Sequence, residues 1–247
     1  DARALDALAA LIAQGGVTVA AGEGTCETLA EAREVAAWAE RWRLPLLADP
    51  LSGLRCLDAA CVIDSYDNLF AREDCPLPRA LIRVGRWPLS KRAFNGLAAA
   101  RPVQVVVDAA ETRDFNLMTA LFVPCTPLDL VRAMGDVPAP ATNVQGAQEG
   151  EGAPRAVAQD AYLARWVALN EAERPRIEAA RDAGDGFEGA YLSALLARVP
   201  AGSLLFSANS LSVRALDTFL LKPAPGTGDR PLAVLANRGQ IGIDGVP

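Results

Sequence analysis

Apolar residues recur at helical spacing through residues 1–13, with Leu5, Leu8, Leu11 and Ile12 on one face, and Gly15-Gly16 closes the run. The spacing predicts a helix and then a turn. Val17 to Ala21 reads as a short buried strand opening into Gly22-Glu23-Gly24-Thr25, after which Glu27 to Arg43 returns to helical period through Leu29, Val35, Ala36, Trp38, Ala39 and Trp42. Leu44 to Ala48 is the next strand, ending at Asp49-Pro50, and completes a βαβ unit. A second unit echoes the first as a weak internal repeat: Ala80 to Val84 as strand, Gly85 at the turn, Ser90 to Ala100 as helix, Val103 to Val107 as strand ending at Asp108. Cys61 to Ile63 and Ala120 to Val123 add short strands, and Pro127 to Met134 a closing helix. Strands rich in Val, Leu and Ile that alternate with helices predict an α/β fold, with a parallel sheet covered on both faces in three layers.

From Gly135 to Pro154 the composition turns to Pro, Ala, Gly, Gln, Thr and Glu with almost no large apolar residue, the pattern of a mobile linker. Beyond it, Arg155 to Asn170 is amphipathic through Ala158, Ala161, Tyr162, Arg165 and Trp166. Pro175 is expected to open a new helix running to Arg181, since proline is tolerated in a first turn. Phe187 to Arg198 reads as a further helix, and Ser203 to Phe206, Ser210 to Phe219 and Leu232 to Leu235 as strand, helix and strand. The expected organisation is a central α/β domain over 1–134, a linker over 135–155, and the start of a second α/β domain over 156–247. Two strands with their helices bury too little to stand alone unless they lean on the first domain.

Composition removes several classes of function. A formal charge of -6 with no basic run argues against nucleic acid and anionic membranes as partners, and no apolar stretch reaches the length of a membrane span. A cytoplasmic location is the expectation, since the N-terminus lacks the order of a signal peptide. Five cysteines form no CxxC and no even framework, so reduced thiols are expected and a structural zinc site is not. The absence of histidine excludes serine–histidine and cysteine–histidine hydrolysis within this chain. The chain starts at Asp1 without methionine and stops two residues after a glycine motif, as expected of a piece of a longer polypeptide.

Chemistry concentrates at two strand exits near the end. Leu204-Leu205-Phe206 leads into Ser207-Ala208-Asn209-Ser210 and a helix bearing Arg214 and Asp217. Leu232 to Leu235 leads into Ala236-Asn237-Arg238-Gly239-Gln240-Ile241-Gly242-Ile243-Asp244-Gly245. Each reads strand, polar loop, arginine, so two guanidinium groups could meet in one cleft and grip a carboxylate or phosphate. Ser210 and Arg214 share a helix face, and Asp217, one turn on, is placed to orient Arg214. Elsewhere Gly22-Glu23-Gly24-Thr25 sits at a strand-to-helix turn, but Glu23 would repel phosphate and Thr25 is an ordinary N-cap; the structural reading is preferred. Asp49 and Asp108 read as turn residues. Lys91 and Arg92 alone would be a solvated helix face.

Asn209-Ser210 with Arg214 and Asp217, followed by Asn237-Arg238-Gly239 and Gly242-Ile243-Asp244-Gly245, resemble the 2-succinyl-5-enolpyruvyl-6-hydroxy-3-cyclohexene-1-carboxylate synthase family, thiamine-diphosphate enzymes of menaquinone biosynthesis. Val84-Gly85-Arg86 with Lys91-Arg92 also fits that family's middle domain. The resemblance implies a central domain plus the start of a diphosphate-binding domain. It implies a reaction in which 2-oxoglutarate is decarboxylated and its succinyl unit is added to isochorismate. By the same resemblance Ser210, Arg214, Arg238, Lys91 and Arg92 bind the dicarboxylate substrates, and Asn209, Ser210 and Gly239 face the cofactor. Thiamine diphosphate and Mg²⁺ belong to the full-length, homo-oligomeric protein. The family's activating glutamate and its Gly-Asp metal motif have no match in this chain, and Asp244 is not taken for a metal ligand. This chain alone is therefore expected to carry no catalytic residue, to hold neither group tightly and to be inactive. Ile241 stands where a small or polar residue is expected. The alternative is a non-catalytic α/β module that binds an anionic metabolite at Gly22–Thr25 or near Lys91.

Overall fold

The computed structural model describes residues 2–110, 114, 116–139, 153–182 and 186–237. The first of its two layered units begins with α1 (Ala2–Ala13), β1 (Val17–Ala21), α2 (Leu29–Arg41) and β2 (Leu46–Ala48). A 3-10 turn, Leu54–Cys56, leads to β3 (Val62–Ile63) and α3 (Tyr66–Leu69), then β4 (Ala80–Val84), α4 (Lys91–Ala100), β5 (Val103–Val107), β6 (Thr119–Val123) and α5 (Pro127–Ala133). After α6 (Ala153–Asp182) come α7 (Glu188–Leu196), β7 (Ser203–Ser207), α8 (Leu211–Phe219) and β8 (Leu232–Ala236).

Six strands form one parallel sheet in the order β3-β2-β1-β4-β5-β6. The central strands β1 and β4 are buried along their whole length, which is why they read as nearly continuous apolar runs. Alternation sends Val17, Val19 and Ala21 to one face, where Leu8, Ile12, Val35, Trp38 and Leu130 from α1, α2 and α5 cover them. The opposite face packs Ala20 and Leu81 with Leu97 of α4, and Leu47 and Ile63 with Tyr66 and Trp166. The α/β sandwich of three layers expected from the sequence is therefore the fold.

Helix α6, at the head of the 156–247 segment, lies along this first sheet. Gln159 accepts from Val17 N at 3.0 Å and donates to Val17 O at 2.9 Å and Arg43 O at 2.8 Å, while Tyr162 Oη and Thr18 Oγ1 stand 2.7 Å apart. Gln159→Leu would strand those buried backbone groups, so a loss of about 2 kcal/mol is expected in chemical denaturation. Pro175 lies inside α6 and does not open a new helix. An internal proline costs about 3 kcal/mol. Tertiary contacts on both sides offset it: Asn170 accepts from Ser65 N at 3.0 Å, Arg174 Nη2 donates to Lys222 O at 2.6 Å, and Ile177 is buried.

Strands β7 and β8 form a parallel pair with α7 and α8 packed on it. Their apolar cluster, Leu196, Val213, Leu216, Leu220 and Val234, includes Leu51 and Leu89 from loops that follow β2 and β4. The second unit thus leans on the carboxyl edge of the first sheet. A buried lysine and a backbone bond tie it down: Lys222 Nζ donates to Ala59 O and Val62 O at 2.7 Å each, and the backbone N of Arg230 donates to Cys56 O at 2.7 Å. All five cysteines are free thiols, and among the described residues no helix is long and apolar enough to cross a membrane.

Candidate functional site

The sheet reverses its winding between β1 and β4, so the loops that leave these strands should open a crevice between them. Protein backbone fills it instead. A Cβ on Gly22 would stand 1.8 Å from Arg86 O, and one on Gly85, which has φ 67°, would stand 2.5 Å from Glu23 O. Thr25 Oγ1 donates to Gly22 O at 2.7 Å and Val84 O at 3.2 Å, and Arg86 pairs with Glu23 at 3.0 Å. Thr25 is accordingly not the N-cap of α2; Thr28 is, in a capping box with Glu31. These glycines serve close packing and leave no phosphate cradle. Asp49 accepts from Leu51 N and Asp108 from Ala110 N, as turn residues do, and Asp49 also accepts from Leu89 N, which joins the loop after β2 to the loop after β4.

Between the two units lies a buried ionic joint. Arg55, on the 3-10 turn, donates to Ala48 O at 2.7 Å, Asp217 O at 2.6 Å, Leu220 O at 3.0 Å and Asp217 Oδ1 at 2.5 Å. The expectation that Asp217 orients Arg214 is therefore corrected. Val213, Leu216, Asp217 and Leu220 make the inward face of α8, and Arg214 points to solvent. Burial pushes the Asp217 carboxyl up to about 7 against the pull of Arg55, and the charges of Asp49 and Asp67 push the same way. The Arg55 guanidinium also lies 5.9 Å from the centre of the Tyr66 ring.

Arg55 and Lys222 escaped the sequence reading. Arg55 is flanked by Leu54 and Cys56 within the stretch Leu51–Leu57, and a lone charge among apolar neighbours was the available sign of it.

Around this joint the sequence candidates are distributed as follows. Helix α4 starts at Lys91, capped by Ser90, whose hydroxyl accepts from Ala93 N at 2.9 Å and donates to Asp67 at 2.5 Å. Lys91 is exposed; Arg92, also exposed, pairs with the same Asp67 at 2.9 Å. Helix α3 touches both α4 and α8, and Leu89 packs in one cluster with Val213 and Leu216, so the α4 N-terminus and α8 border one region. Asn209 is half-buried, and Ser210 and Arg214 are exposed in the stretch that follows β7. Ser210 has φ 67° and ψ -123°, a conformation that costs on the order of 1–3 kcal/mol for a side chain other than glycine. The register Ser207↔Ala236 sets Asn237 at the same sheet edge as Ala208–Ser210. Arg238 and Gly239, with Ile241 and Asp244, lie outside the described residues.

A hollow of about 550 Å³ separates the β1 loop from β8 and carries Glu23 and Glu27, a poor lining for a dianion. Burial pushes the Cys56 and Cys75 thiols up to about 11 and Cys61 up to about 12, so they are not poised as nucleophiles. Among the described residues no three His, Cys, Asp or Glu side chains converge to hold a metal ion.

No protein-family model matches the chain. Similar curated proteins do. The 2-succinyl-5-enolpyruvyl-6-hydroxy-3-cyclohexene-1-carboxylate synthase of Geobacillus thermodenitrificans (strain NG80-2) is 36% identical over 208 residues, 82% of this chain and 32% of that protein. Its counterpart from Geobacillus kaustophilus (strain HTA426) is 36% identical over 82% of this chain and 33% of its own length. That from Bacillus pumilus (strain SAFR-032) is 33% identical over 230 residues, 90% of this chain and 36% of its own length. The chain spans about a third of the length of the relatives it matches. With this identity running through more than four-fifths of its residues, the chain belongs to the 2-succinyl-5-enolpyruvyl-6-hydroxy-3-cyclohexene-1-carboxylate synthase family.

Proposed function

We propose that this chain is the central domain, residues 1–134, and the beginning of the diphosphate-binding domain, within 156–247, of a cytoplasmic, homo-oligomeric thiamine-diphosphate-dependent synthase. The reaction is decarboxylation of 2-oxoglutarate and addition of the succinyl unit to isochorismate, in menaquinone biosynthesis. The observation that carries the reading is the shared edge of β7 and β8, where Ser210 and Arg214 stand and after which Arg238 follows within two residues. Both substrates carry two carboxylates, and planar guanidinium groups bind carboxylate oxygens in pairs.

In this reading Arg214 and Arg238 hold a substrate carboxylate, with Ser210 as a hydroxyl partner. Lys91 and Arg92, across from α8, meet the second acid. Asp67 already holds Arg92, which leaves Lys91 the freer of the two to turn toward a ligand. Asn209, Ser210 and Gly239 face the cofactor, which supplies the carbon–carbon bond chemistry when bound. By the same reading, metal and diphosphate binding belong to the parts of the relatives that lie outside the third this chain matches.

The test replaces the matching third of the Geobacillus thermodenitrificans synthase by this chain. Turnover of 2-oxoglutarate with isochorismate is expected from the chimera and none from the isolated chain supplied with cofactor and Mg²⁺. Arg214→Ala in the chimera is expected to raise KM for 2-oxoglutarate by about 10- to 100-fold, the worth of one charge-assisted bond. An unchanged KM, or turnover by the isolated chain, would overturn the assignment. The alternative binding module loses support from the packed Gly22–Thr25 loop.

A further inference from the structure

We infer that Arg55 is a positioning residue: it clasps the end of α8 to the first unit and so fixes where Ser210 and Arg214 stand relative to the N-terminus of α4. The clasp has a geometry that no other residue type supplies. Its Nε is spent on Ala48 O at the end of β2, within the first unit. Its Nη1 reaches Asp217 O in the last turn of α8 and the O of Leu220, the residue that caps it, and its Nη2 takes the Asp217 carboxylate. A single rigid fork thus spans the joint, with one nitrogen on the first unit and two on the second.

Both members are almost fully buried, with side chains 2% and 5% exposed, so the bond is not a solvated surface pair that salt or side-chain entropy would dissolve. The neighbouring apolar contacts of Leu51 and Leu89 are non-directional, and the bonds of Lys222 hold the chain that follows α8; the guanidinium fork holds the helix itself. The same guanidinium faces Tyr66 of α3. The next residue of α3, Asp67, holds Ser90 and Arg92 at the head of α4, so one cation touches the supports of both candidate substrate-binding faces. The inference rests on the proposed reading only in naming Ser210 and Arg214 as the groups that are positioned.

The experiment uses the full 247-residue chain with Cys75→Ser and Cys125→Ser, spin-labelled at Asn95→Cys on α4 and Ser212→Cys on α8, both exposed sites. Distances are read by pulsed electron resonance, with a control pair at Asn95→Cys and Glu40→Cys inside the first unit. Arg55→Lys keeps the charge and loses the fork. It is expected to widen the α4–α8 distribution about twofold while the control pair stays narrow. Asp217→Asn, which keeps shape and an acceptor, is expected to widen it less and serves if Arg55→Lys does not fold. An α4–α8 distribution as narrow as the parent's in the folded variant would overturn the clasp, as would equal widening of the control pair. No ligand enters the measurement. An unaltered KM in the Arg214→Ala chimera would therefore remove the reaction and leave the clasp, and unchanged distances would remove the clasp and leave the reaction.

Discussion

Gly22→Ala is expected to cost about 3 kcal/mol or more and to lower Tm by about 10 °C, because the new methyl has nowhere to go. Its carbon would fall 1.8 Å from Arg86 O and 2.6 Å from Arg86 C, which are main chain and cannot rotate aside. The exit of β4 would have to move away from β1. That move would break Gly22 N to Val84 O at 3.0 Å and Arg86 N to Glu23 O at 2.9 Å, two bonds that close the crevice. Gly24→Ala is the matched control: its φ of 83° strains an alanine by about 1 kcal/mol, but nothing lies within 4 Å of the added carbon. Thermal melts followed by circular dichroism separate the two, and equal melts would mean that the loop yields far more easily than its packing implies.

Asp217→Asn is expected to change how stability depends on pH more than stability itself. In the fold the carboxyl is pushed up to about 7 by burial, whereas in the unfolded chain it titrates near 4. The native state therefore binds more protons than the unfolded state between those values. The group's favourable contribution is complete below about pH 4 and is lost as pH rises through about 7. The sign of the slope follows from the upward direction of the shift.

Asparagine cannot ionise, so the variant should lack this slope and gain on the parent as pH is raised from 5 to 8. Asp229, held low first by a bond from Asp58 N, and Asp114, held low by bonds from Thr119 and Met118 against the push of its burial, act with the opposite sign, but only at more acid pH. Guanidinium unfolding curves across pH 5–8 check the difference. Parallel parent and variant profiles would show that Arg55 keeps the carboxylate ionised throughout.

Much of the first unit was legible because burial on both faces writes a strand as a nearly continuous apolar run, broken here only by Thr18, Arg83 and Gln104: β1, β4 and β5 begin and end where the sequence predicts. Helix ends were shorter than expected by a residue or two, as at α2, where Thr28 and not Thr25 caps. A capping box needs Glu31 three residues on, and only the Thr28 spacing provides it. Pro175 misled because local propensity speaks against an internal proline, and only contacts made elsewhere in the fold keep the helix whole.

The site was less legible for a related reason. Arg214 and Asp217 are helical neighbours, yet three residues of rotation put one outside and one inside, and the carboxylate found a cation far away in sequence. Pairings across |i−j| of 162 leave no local trace. The shared exit of β7 and β8 follows from their parallel register, whereas Arg238 and Gly239, on which half of the expected grip depends, fall outside the described residues.

Apart from the Asp217 carboxylate, the acceptors that Arg55 uses are peptide oxygens, at Ala48, Leu216, Asp217 and Leu220. Such acceptors belong to every amino acid. Descendants of this chain are therefore free to exchange the letters at positions 48, 216 and 220 for others of suitable size without losing the joint. The two bodies can stay in fixed alignment through long divergence, with ancestry preserved in the ending of a helix when it has faded from the residues that form it.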